Sequence, residues 1–324
     1  MVDAILIRHM PVRRFVVQPA KIDVLRPLWP EIEIVDIEPP ARNDLHDFHA
    51  GYPWAEAAAQ QERQIERIRE ARTRWPGAQL IYMGFVPIPL AFHLGTLLGQ
   101  GTQIEIYNHQ HDSHSWSWAT SVPTRKLLAP HRAPAGDGNS TRELLHRVSV
   151  SYPVQPEQTE AIVREPQIYE VAVNSPSPTV LRSPADLWRV ADVFKQDLDA
   201  SHNDFPLAPM RHLVASVPVG LALAMGMQVN PTIHLPLQTW KYLRGHEHPY
   251  VPAICIGRRE RVPRVLLLGA SPLDEAISAP REVQEIHALL GDFEDRLRVV
   301  GRPVTTVEDF VGMLDEADPT VLHL

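Results

Sequence analysis

The chain has 324 residues, of which 44% are hydrophobic and 22% are charged, a composition typical of folded proteins with packed cores. Its formal net charge of -8 excludes a protein that coats long nucleic acids, because such proteins need an excess of Lys and Arg. The single cysteine, Cys255, excludes an intrachain disulfide. No signal-peptide core is present, and proline and glycine interrupt the longest apolar stretch, residues 214–229. We therefore expect a cytoplasmic protein without membrane spans.

The first part of the chain alternates short apolar runs with helical patterns. Strands are predicted at residues 4–7, 32–37, 78–83 and 103–107, and helices at residues 54–75 and 87–98. The first helix has no internal Gly or Pro and stops at Pro76 and Gly77. Alternating β and α segments predict a parallel, Rossmann-like sheet.

A similar pattern recurs later in the chain. The block LIYMGFVPIPLAFHLG at residues 80–95 aligns without a gap on RHLVASVPVGLALAMG at residues 211–226, and each block predicts a strand, a tight turn and a helix. We therefore predict an α/β protein with mostly parallel sheets, built from two fused Rossmann-like units at residues 1–150 and 151–257. The alternative is a coincidental similarity between two buried βα turns.

The second unit has its own strand and helix signals. We predict its leading strand at residues 169–173 and a helix that begins at Ser183 and Pro184. One face of this helix is apolar, formed by Leu187, Val190, Ala191, Phe194 and Leu198. Polar, proline-rich segments around residues 133–141 and 153–158 join the two units.

A third region follows a basic hinge at residues 258–263. Residues 264–268, 297–300 and 320–324 are predicted strands, and residues 280–290 and 306–316 are predicted helices. A domain with only three strands lacks a complete core. We therefore expect residues 264–324 to be the truncated start of an α/β domain.

Motifs for catalysis or cofactor binding are missing from the sequence. No Gly-x-Gly-x-x-Gly follows a strand, and there is no Walker loop, His-Glu-x-x-His motif or Gly-x-Ser-x-Gly elbow. His109, His111 and His114 share a region, but no second ligand cluster completes a zinc shell. Cys255 has no basic neighbour or helix start beside it, which favours a packing role. We predict no catalytic residue, metal or cofactor.

Two helix N-termini are the strongest candidates for ligand binding. The positive end of a helix dipole and its free N–H groups attract anions, and both helices follow strands at the carboxyl edge of a sheet. The turns that open them contain Gly84, Phe85, Val86 and Pro87 in the first unit, and Ala215, Ser216, Val217 and Pro218 in the second.

Side chains suited to a nucleobase lie near these turns. Aromatic faces stack on bases and amides pair with base edges, so the candidates are Tyr107, Asn108, His109, Trp116, Trp240, Lys241 and Tyr242. The alternative is that the tryptophans anchor the core. Phosphate or ribose contacts are predicted from residues that we expect at equivalent strand ends, namely Arg8, His9 and Met10 in the first unit and Asn174, Ser175 and Ser177 in the second.

The paired blocks, each followed by a strand (IEIYNHQ and TIHLPLQ), resemble the SAVED domain, a fusion of two CARF-like Rossmann units, over residues 1–257. The resemblance implies a sensor for a cyclic oligoadenylate with three or four nucleotides, made in CBASS or type III CRISPR defence. It also implies a pocket that spans both units and head-to-tail assembly into a filament when the ligand binds.

The segments RVLLLGASPLDEAISAPREVQEIHALL and VTTVEDFVGMLDEADPTVLHL resemble the opening of a CHAT domain, a caspase-like protease that acts on a protein substrate. In that family the catalytic His and Cys lie beyond the matched segment, so His323 corresponds to a structural histidine and enzymatic activity stays an open question. Two alternatives remain. One is a nucleotide-processing hydrolase of the ring nuclease type, and the other is the same sensor with a TIR-like NAD hydrolase effector.

Overall fold

The computed structural model describes residues 2–10, 24–40, 51–110, 112, 115–118, 126–130, 132–136, 138, 140–234 and 236–257, together with the backbone of strands at 264–269, 298–303 and 321–323. The chain divides into an N-terminal unit, Met1–Gly257, and a C-terminal unit, Arg258–Leu324. The described residues of the N-terminal unit form two sheets. We call the part with the first sheet the first half and the part with the second sheet the second half.

The first sheet is parallel throughout. Its strands are β1 (Ala4–His9), β2 (Ile32–Ile37), β3 (Gln79–Gly84) and β4 (Glu105–Tyr107), in the order β2-β1-β3-β4. Helix α1 (Trp54–Arg74) connects β2 to β3, and helix α2 (Ile88–Leu98) connects β3 to β4. The apolar run at the start of β1 is buried on both faces, as expected for an inner strand of a parallel sheet.

The second sheet contains β5 (Leu144–Ser149), β6 (Gln167–Ala172), β7 (Arg211–Ser216), β8 (Leu237–Tyr242) and β9 (Tyr250–Ile256), in the order β6-β5-β7-β8-β9. The first four are parallel, and β9 runs antiparallel to β8. The short helix α3 (Pro156–Thr159) and the helices α4 (Pro184–Asp204) and α5 (Val219–Met227) connect them. The predicted fold class, α/β with mostly parallel sheets, is confirmed.

The position of strand β5 differs from two of the sequence-based predictions. It is the leading strand of the second half, whereas the segment predicted for that role, residues 169–173, coincides with β6. The predicted boundary after residue 150 therefore lies too late, because β5 already belongs to the second sheet. His146 and Arg147 interrupt the apolar run of β5, so its sequence does not have the pattern of a buried strand.

Helix α4 begins where the sequence predicts. The Ser183 hydroxyl accepts a hydrogen bond from the Asp186 N–H at 3.1 Å, and the Asp186 carboxylate accepts one from the Arg182 N–H at 3.1 Å. The first bond satisfies a donor that the helix start leaves open, and the second holds the residue before the cap against the first turn. The buried face contains the five predicted apolar residues, Leu187, Val190, Ala191, Phe194 and Leu198.

The two halves have the same order of elements, since β1-β2-α1-β3-α2-β4 corresponds to β5-β6-α4-β7-α5-β8. The strand register extends this match to single residues. Arg8 of β1 lies opposite Asp36 of β2 and Met83 of β3, and Arg147 of β5 lies opposite Glu170 of β6 and Val214 of β7. Met83 and Val214 are paired in the aligned blocks, so Arg8 corresponds to Arg147 and Asp36 to Glu170.

Helices α2 and α5 join the halves through a close crossing. A Cβ atom on Gly95 would lie 2.1 Å from the main-chain oxygen of Leu223, and a Cβ atom on Gly226 would lie 2.0 Å from that of Phe92. Only glycine allows the two backbones to approach this closely. One apolar core extends through this crossing and contains residues from both sheets.

The C-terminal unit contains a parallel sheet of β10 (Arg264–Gly269), β11 (Arg298–Pro303) and β12 (Val321–His323), in the order β11-β10-β12. These strands overlap the three predicted there. The predicted hinge and the helices predicted at 280–290 and 306–316 lie outside the described residues. Among the residues that the structure describes, no helix has the length and apolar character needed to cross a membrane.

Candidate functional site

The predicted ligand-binding residues, apart from Trp116, lie at the carboxyl ends of parallel strands or in the segments that follow them, which we call the carboxyl edge. In the first half these are Arg8, His9 and Met10 at β1, then Gly84, Phe85, Val86 and Pro87 between β3 and α2, and Tyr107, Asn108 and His109 at β4. In the second half they are Asn174, Ser175 and Ser177 after β6, Ala215, Ser216, Val217 and Pro218 between β7 and α5, and Trp240, Lys241 and Tyr242 at β8.

Asn108 connects the carboxyl edges of the two halves. Its side-chain Oδ1 accepts a hydrogen bond of 2.7 Å from the main-chain N–H of Gly220, the second residue of α5. A Cβ atom on Gly220 would lie 2.3 Å from this oxygen and 2.5 Å from Cγ2 of Ile106, so the contact requires glycine. Sequence analysis identified Asn108 but did not include Gly220, whose partner lies 112 positions away.

His9 belongs to the core and not to an open ligand site. It is fully buried, accepts a hydrogen bond at Nε2 from the Gln61 amide (2.9 Å) and therefore donates from Nδ1 to the Tyr82 hydroxyl (3.1 Å). Gln61 also accepts from Nδ1 of His93 at 2.8 Å. Burial, followed by the charge of His93, lowers the pKa of His9 to about 3. The predicted ligand contact by His9 is therefore wrong, because its ring nitrogens are already occupied.

Gly84 is required by its neighbour Tyr82. A Cβ atom at residue 84 would lie 2.1 Å from the Tyr82 hydroxyl oxygen, and Tyr82 is itself fully buried. Added bulk at this position would therefore disturb the core beneath the carboxyl edge. A variant with a larger residue at position 84 therefore does not test ligand binding alone.

Each half carries an arginine paired with a carboxylate near its carboxyl edge. In the first half the Arg8 guanidinium donates to both oxygens of Asp36, with a distance of 2.8 Å from Nη2 to Oδ2. In the second half Arg147 lies 3.9 Å from Glu170, and Arg132 lies 3.6 Å from the same carboxylate oxygen. Arg147 did not emerge from the sequence analysis. The register of β5 and β6 identifies it as the counterpart of Arg8.

The predicted equivalence of Arg8, His9 and Met10 with Asn174, Ser175 and Ser177 is wrong. The first group ends β1, whereas the second follows β6, the counterpart of β2. Asn174 and Ser175 are exposed, and the Asn174 amide donates to the main-chain oxygen of Lys126 at 2.6 Å. The counterparts of residues 8–10 are Arg147, Val148 and Ser149.

In the first half, aromatic rings extend from the carboxyl edge into the core. His109 makes edge contacts with Phe85 on one side and Trp116 on the other, with ring centroids 6.3 and 5.6 Å apart. Trp116 is only 4% exposed and packs in a core cluster with Ala4, Leu6, Leu25, Ile81 and Met83. The core interpretation of Trp116 is therefore correct, and stacking on a base is excluded by its burial. His111 and His114 lie outside the described residues, so the predicted lack of a zinc site there stays a prediction.

In the second half, β8 ends with side chains of different exposure. The Trp240 indole N–H donates to Nδ1 of His212 at 3.1 Å, which places this tryptophan against the sheet. Tyr242 is 43% exposed and contacts Tyr250 edge-on. Burial lowers the pKa of Lys241, which lies between Trp240 and Tyr242 in β8. Of the predicted stacking residues in this half, Tyr242 presents the most open ring.

The fold and the carboxyl edge define a protein with two fused Rossmann-like halves, in which Asn108 at the end of β4 contacts Gly220 in the first turn of α5. Residues 20–256 match the family model of SAVED, described as the SMODS-associated and fused to various effectors sensor domain. The chain belongs to the SAVED family. No curated protein sequence matches the chain.

Solved structures of SAVED/CARF-domain receptors are similar in fold. The Acinetobacter baumannii Cap4 receptor with the cyclic trinucleotide 2'3'3'-cAAA has a TM-score of 0.50 and 11% identity, and the match covers 78% of this chain and 51% of that one. The same receptor with 3'3'3'-cAAA has a TM-score of 0.47, 13% identity and the same coverage. The Moraxella osloensis Cap4 receptor also has a TM-score of 0.47 and 13% identity, with 78% and 49% covered. The match thus spans about half the length of these receptors.

Proposed function

We propose that this chain is a cytoplasmic sensor of antiviral defence that binds a cyclic oligoadenylate with three or four nucleotides at the carboxyl edge. The observation that carries the proposal is the hydrogen bond from the Gly220 N–H to Asn108, which brings the strand ends of one half to the helix N-terminus of the other. A ligand with several phosphates and bases needs such a continuous site. The membership in a sensor family and the ligand named for the Acinetobacter baumannii receptor support it.

Ligand binding is tested by thermal unfolding. A ligand that binds only the folded state raises the midpoint by mass action. We expect 3'3'3'-cAAA, 2'3'3'-cAAA or a cyclic tetra-adenylate to raise the midpoint at micromolar concentration, and linear triadenylate to have much less effect. The absence of any shift with these cyclic ligands at high micromolar concentration would contradict the proposal. Recovery of the intact ring after incubation separates a sensor from a ring nuclease.

We also propose that ligand binding drives head-to-tail assembly. The two halves are similar but not identical, so one protomer can meet the next through different surfaces, and such contacts do not need to close into a ring. A ligand shifts this equilibrium only if it binds the assembled state more tightly. Light scattering and electron microscopy at saturating ligand should show filaments, and monomers alone would refute this part of the proposal.

Residues 264–324 are proposed to begin a CHAT domain, a caspase-like protease that assembly would activate against a protein substrate. Three parallel strands in the order β11-β10-β12 and the matching sequence segments support this assignment. Because the segment resembling CHAT contains neither catalytic residue, we expect the 324-residue chain to assemble without cleaving peptides. Peptide cleavage by the purified chain would refute this account of the C-terminal unit.

A further inference from the structure

The loop that follows β5 crosses the end of β7. The N–H groups of Val150 and Ser151 both donate to the main-chain oxygen of Ser216, at 2.9 and 2.7 Å. The Tyr152 N–H donates to the hydroxyl oxygen of the same serine at 3.1 Å. The Val150 oxygen in turn accepts from the Ser177 N–H at 2.9 Å. Four hydrogen bonds therefore fix this loop at the carboxyl edge of the second half.

The ring of Tyr152 lies in solvent although the chain on both sides of it is buried. Val150 is fully buried and Val154 is 4% exposed, and the Val154 N–H donates to the Ser149 hydroxyl oxygen at 2.9 Å. Tyr152 itself is 62% exposed. A single exposed apolar side chain is ordinary on a protein surface, so exposure alone does not indicate a ligand. Tyr152 differs because a fixed backbone holds its ring at one place.

The position of Tyr152 in the second sheet does indicate a ligand. Strand β5 lies between β6 and β7, so the chain leaves β5 toward one side and returns on the other. Parallel sheets of this order bind ligands in the crevice outside the carboxyl ends of the first and third strands, where the connections diverge. In this half those strands are β5 and β7, and the bond to Ser216 places Tyr152 where their ends meet.

A second exposed tyrosine lies on the next strand of the same edge. Strand β8 neighbours β7, and Tyr242 at its end is 43% exposed. Among the residues that the structure describes, five large apolar or aromatic side chains are exposed, and the two tyrosines are the aromatic ones. Aromatic faces stack on nucleobases, and a ring on a fixed backbone loses little conformational freedom when it binds. The carboxyl edge of the second half is therefore suited to a base.

We infer that the Tyr152 ring stacks on one base of the bound ligand, a contact that the sequence analysis did not identify. This rests on the proposed function, because the base belongs to the proposed cyclic oligoadenylate. The inference places that base at the crevice between the ends of β5 and β7, on the edge that also carries Tyr242. The contact uses the face of the ring and does not need the hydroxyl group.

Truncation of the ring tests the inference. We expect Tyr152→Ala to weaken the binding of 3'3'3'-cAAA or 2'3'3'-cAAA by about 5- to 150-fold in a calorimetric titration, because a base loses its stacking partner. Tyr152→Phe keeps the ring and should bind within about threefold of the wild type. Since the side chain is exposed, the unfolding midpoints of both variants should stay close to that of the wild type.

The matched control is Leu207→Ala. Leu207 is 57% exposed and lies between α4 and β7, at the opposite edge of the same sheet. Its truncation removes an exposed apolar side chain of comparable size and should leave affinity unchanged. Equal affinities of Tyr152→Ala and Leu207→Ala for the cyclic ligand would overturn the inference.

A contact between protomers is the alternative use of an exposed ring. A ring that stacks on a base lowers affinity at every protein concentration when it is removed, and saturating ligand restores assembly. Unchanged affinity of Tyr152→Ala with loss of assembly in light scattering would overturn the inference. So would an affinity loss that occurs only at protein concentrations where the wild type assembles, because the ring would then act between protomers.

Failure of the proposed function gives a different result. If the wild-type chain binds no cyclic oligonucleotide, adenosine monophosphate serves as the probe for stacking alone. A rise in the unfolding midpoint of the wild type and of Leu207→Ala with this nucleotide, absent in Tyr152→Ala, would support the stacking site while the proposed ligand is rejected. No rise for the wild type in that case would reject both.

Discussion

Gly95 of α2 and Gly226 of α5 face each other where the two helices cross, and each leaves room for the main chain of the opposite helix. The two glycines occupy corresponding positions in the aligned blocks. The residues whose carbonyl oxygens approach them, Phe92 and Leu223, also occupy corresponding positions. The crossing is therefore a reciprocal contact between equivalent elements. It explains why both copies of the repeated block end in glycine.

Replacing either glycine with alanine should destabilise the N-terminal unit. In Gly95→Ala and Gly226→Ala the new methyl group meets a carbonyl oxygen, so the helices must separate and core packing is lost. We expect a loss of about 1–3 kcal/mol in the free energy of unfolding, measured with urea. The control is Gly101→Ala, where a Cβ atom would meet nothing within 4 Å. Equal stability of Gly95→Ala and Gly101→Ala would contradict the close crossing.

The contact between Asn108 and Gly220 predicts coupling between the halves. Asn108→Ala removes the acceptor of the Gly220 N–H and should cost about 1 kcal/mol, as for the loss of a helix cap. Gly220→Ala should also destabilise the protein, because its methyl group meets Oδ1 of Asn108 and Cγ2 of Ile106. The double variant should be less destabilised than the sum of the two, by about 1 kcal/mol in a double-mutant cycle. Strict additivity would mean that the two residues do not interact.

From the burial of His146 we predict that the free energy of unfolding decreases in acid. Its ring stacks on Tyr169, neither ring nitrogen has a hydrogen-bond partner among the described residues, and burial lowers its pKa from 6.5 to about 3. The unfolded chain therefore takes up a proton on this residue between pH 6.5 and pH 3 while the folded chain does not. The contribution of His146 to the free energy of unfolding is therefore fully present above pH 6.5 and decreases as the pH falls through this range.

His146→Leu should reduce this acid sensitivity. We expect the unfolding midpoint of the variant to decrease less than that of the wild type between pH 6.5 and pH 4, measured by circular dichroism on heating. His9 and His93, whose pKa values burial lowers to about 3 and about 4, leave part of the pH dependence in place. Parallel pH profiles of the unfolding midpoint for the two proteins would show that His146 does not contribute to the acid sensitivity.

Trp116 and Tyr242 should respond differently to truncation. Trp116→Ala removes a buried ring from the core and should cost about 3–5 kcal/mol of unfolding free energy. Tyr242→Ala changes an exposed ring and should leave stability nearly unchanged, while affinity for a cyclic oligoadenylate falls by about 1–3 kcal/mol if the ring stacks on a base. A stable Trp116→Ala variant with weakened binding would reverse these assignments.

The parts of the fold that sequence predicts are those with a local signal. The Ser183 cap and the apolar face of α4 depend on neighbours a few positions apart, and both are present. Strand β5 was missed because His146 and Arg147 are polar residues at buried positions. Their burial depends on long-range packing, which a pattern along the chain does not report.

The candidate site shows the same limit. The turns before α2 and α5 were identified by their repeated sequence, whereas the partner of Gly220 lies in the other half. His9 and Trp116 are residue types that often contact nucleotides. In this structure His9 is bonded to Gln61 and Tyr82, and Trp116 packs in the apolar cluster that contains Ala4. Residue type alone does not distinguish a side chain that faces a ligand from one that fills a core.

Pro89 of α2 and Gly220 of α5 occupy corresponding positions in the aligned blocks, and proline lacks the N–H that Gly220 donates to Asn108. This difference bears on the symmetry of the ligand. A ring of four identical nucleotides joined by identical linkages contains a twofold axis, and a receptor with equal halves could use it. A ring of three contains no such axis, so its phosphates cannot all be matched by twofold-related groups. Under the proposed function, the two helix starts offer different donors to such a ring, because Pro89 lacks the N–H that Gly220 has. The unequal halves then let the protein hold the ring in a single orientation.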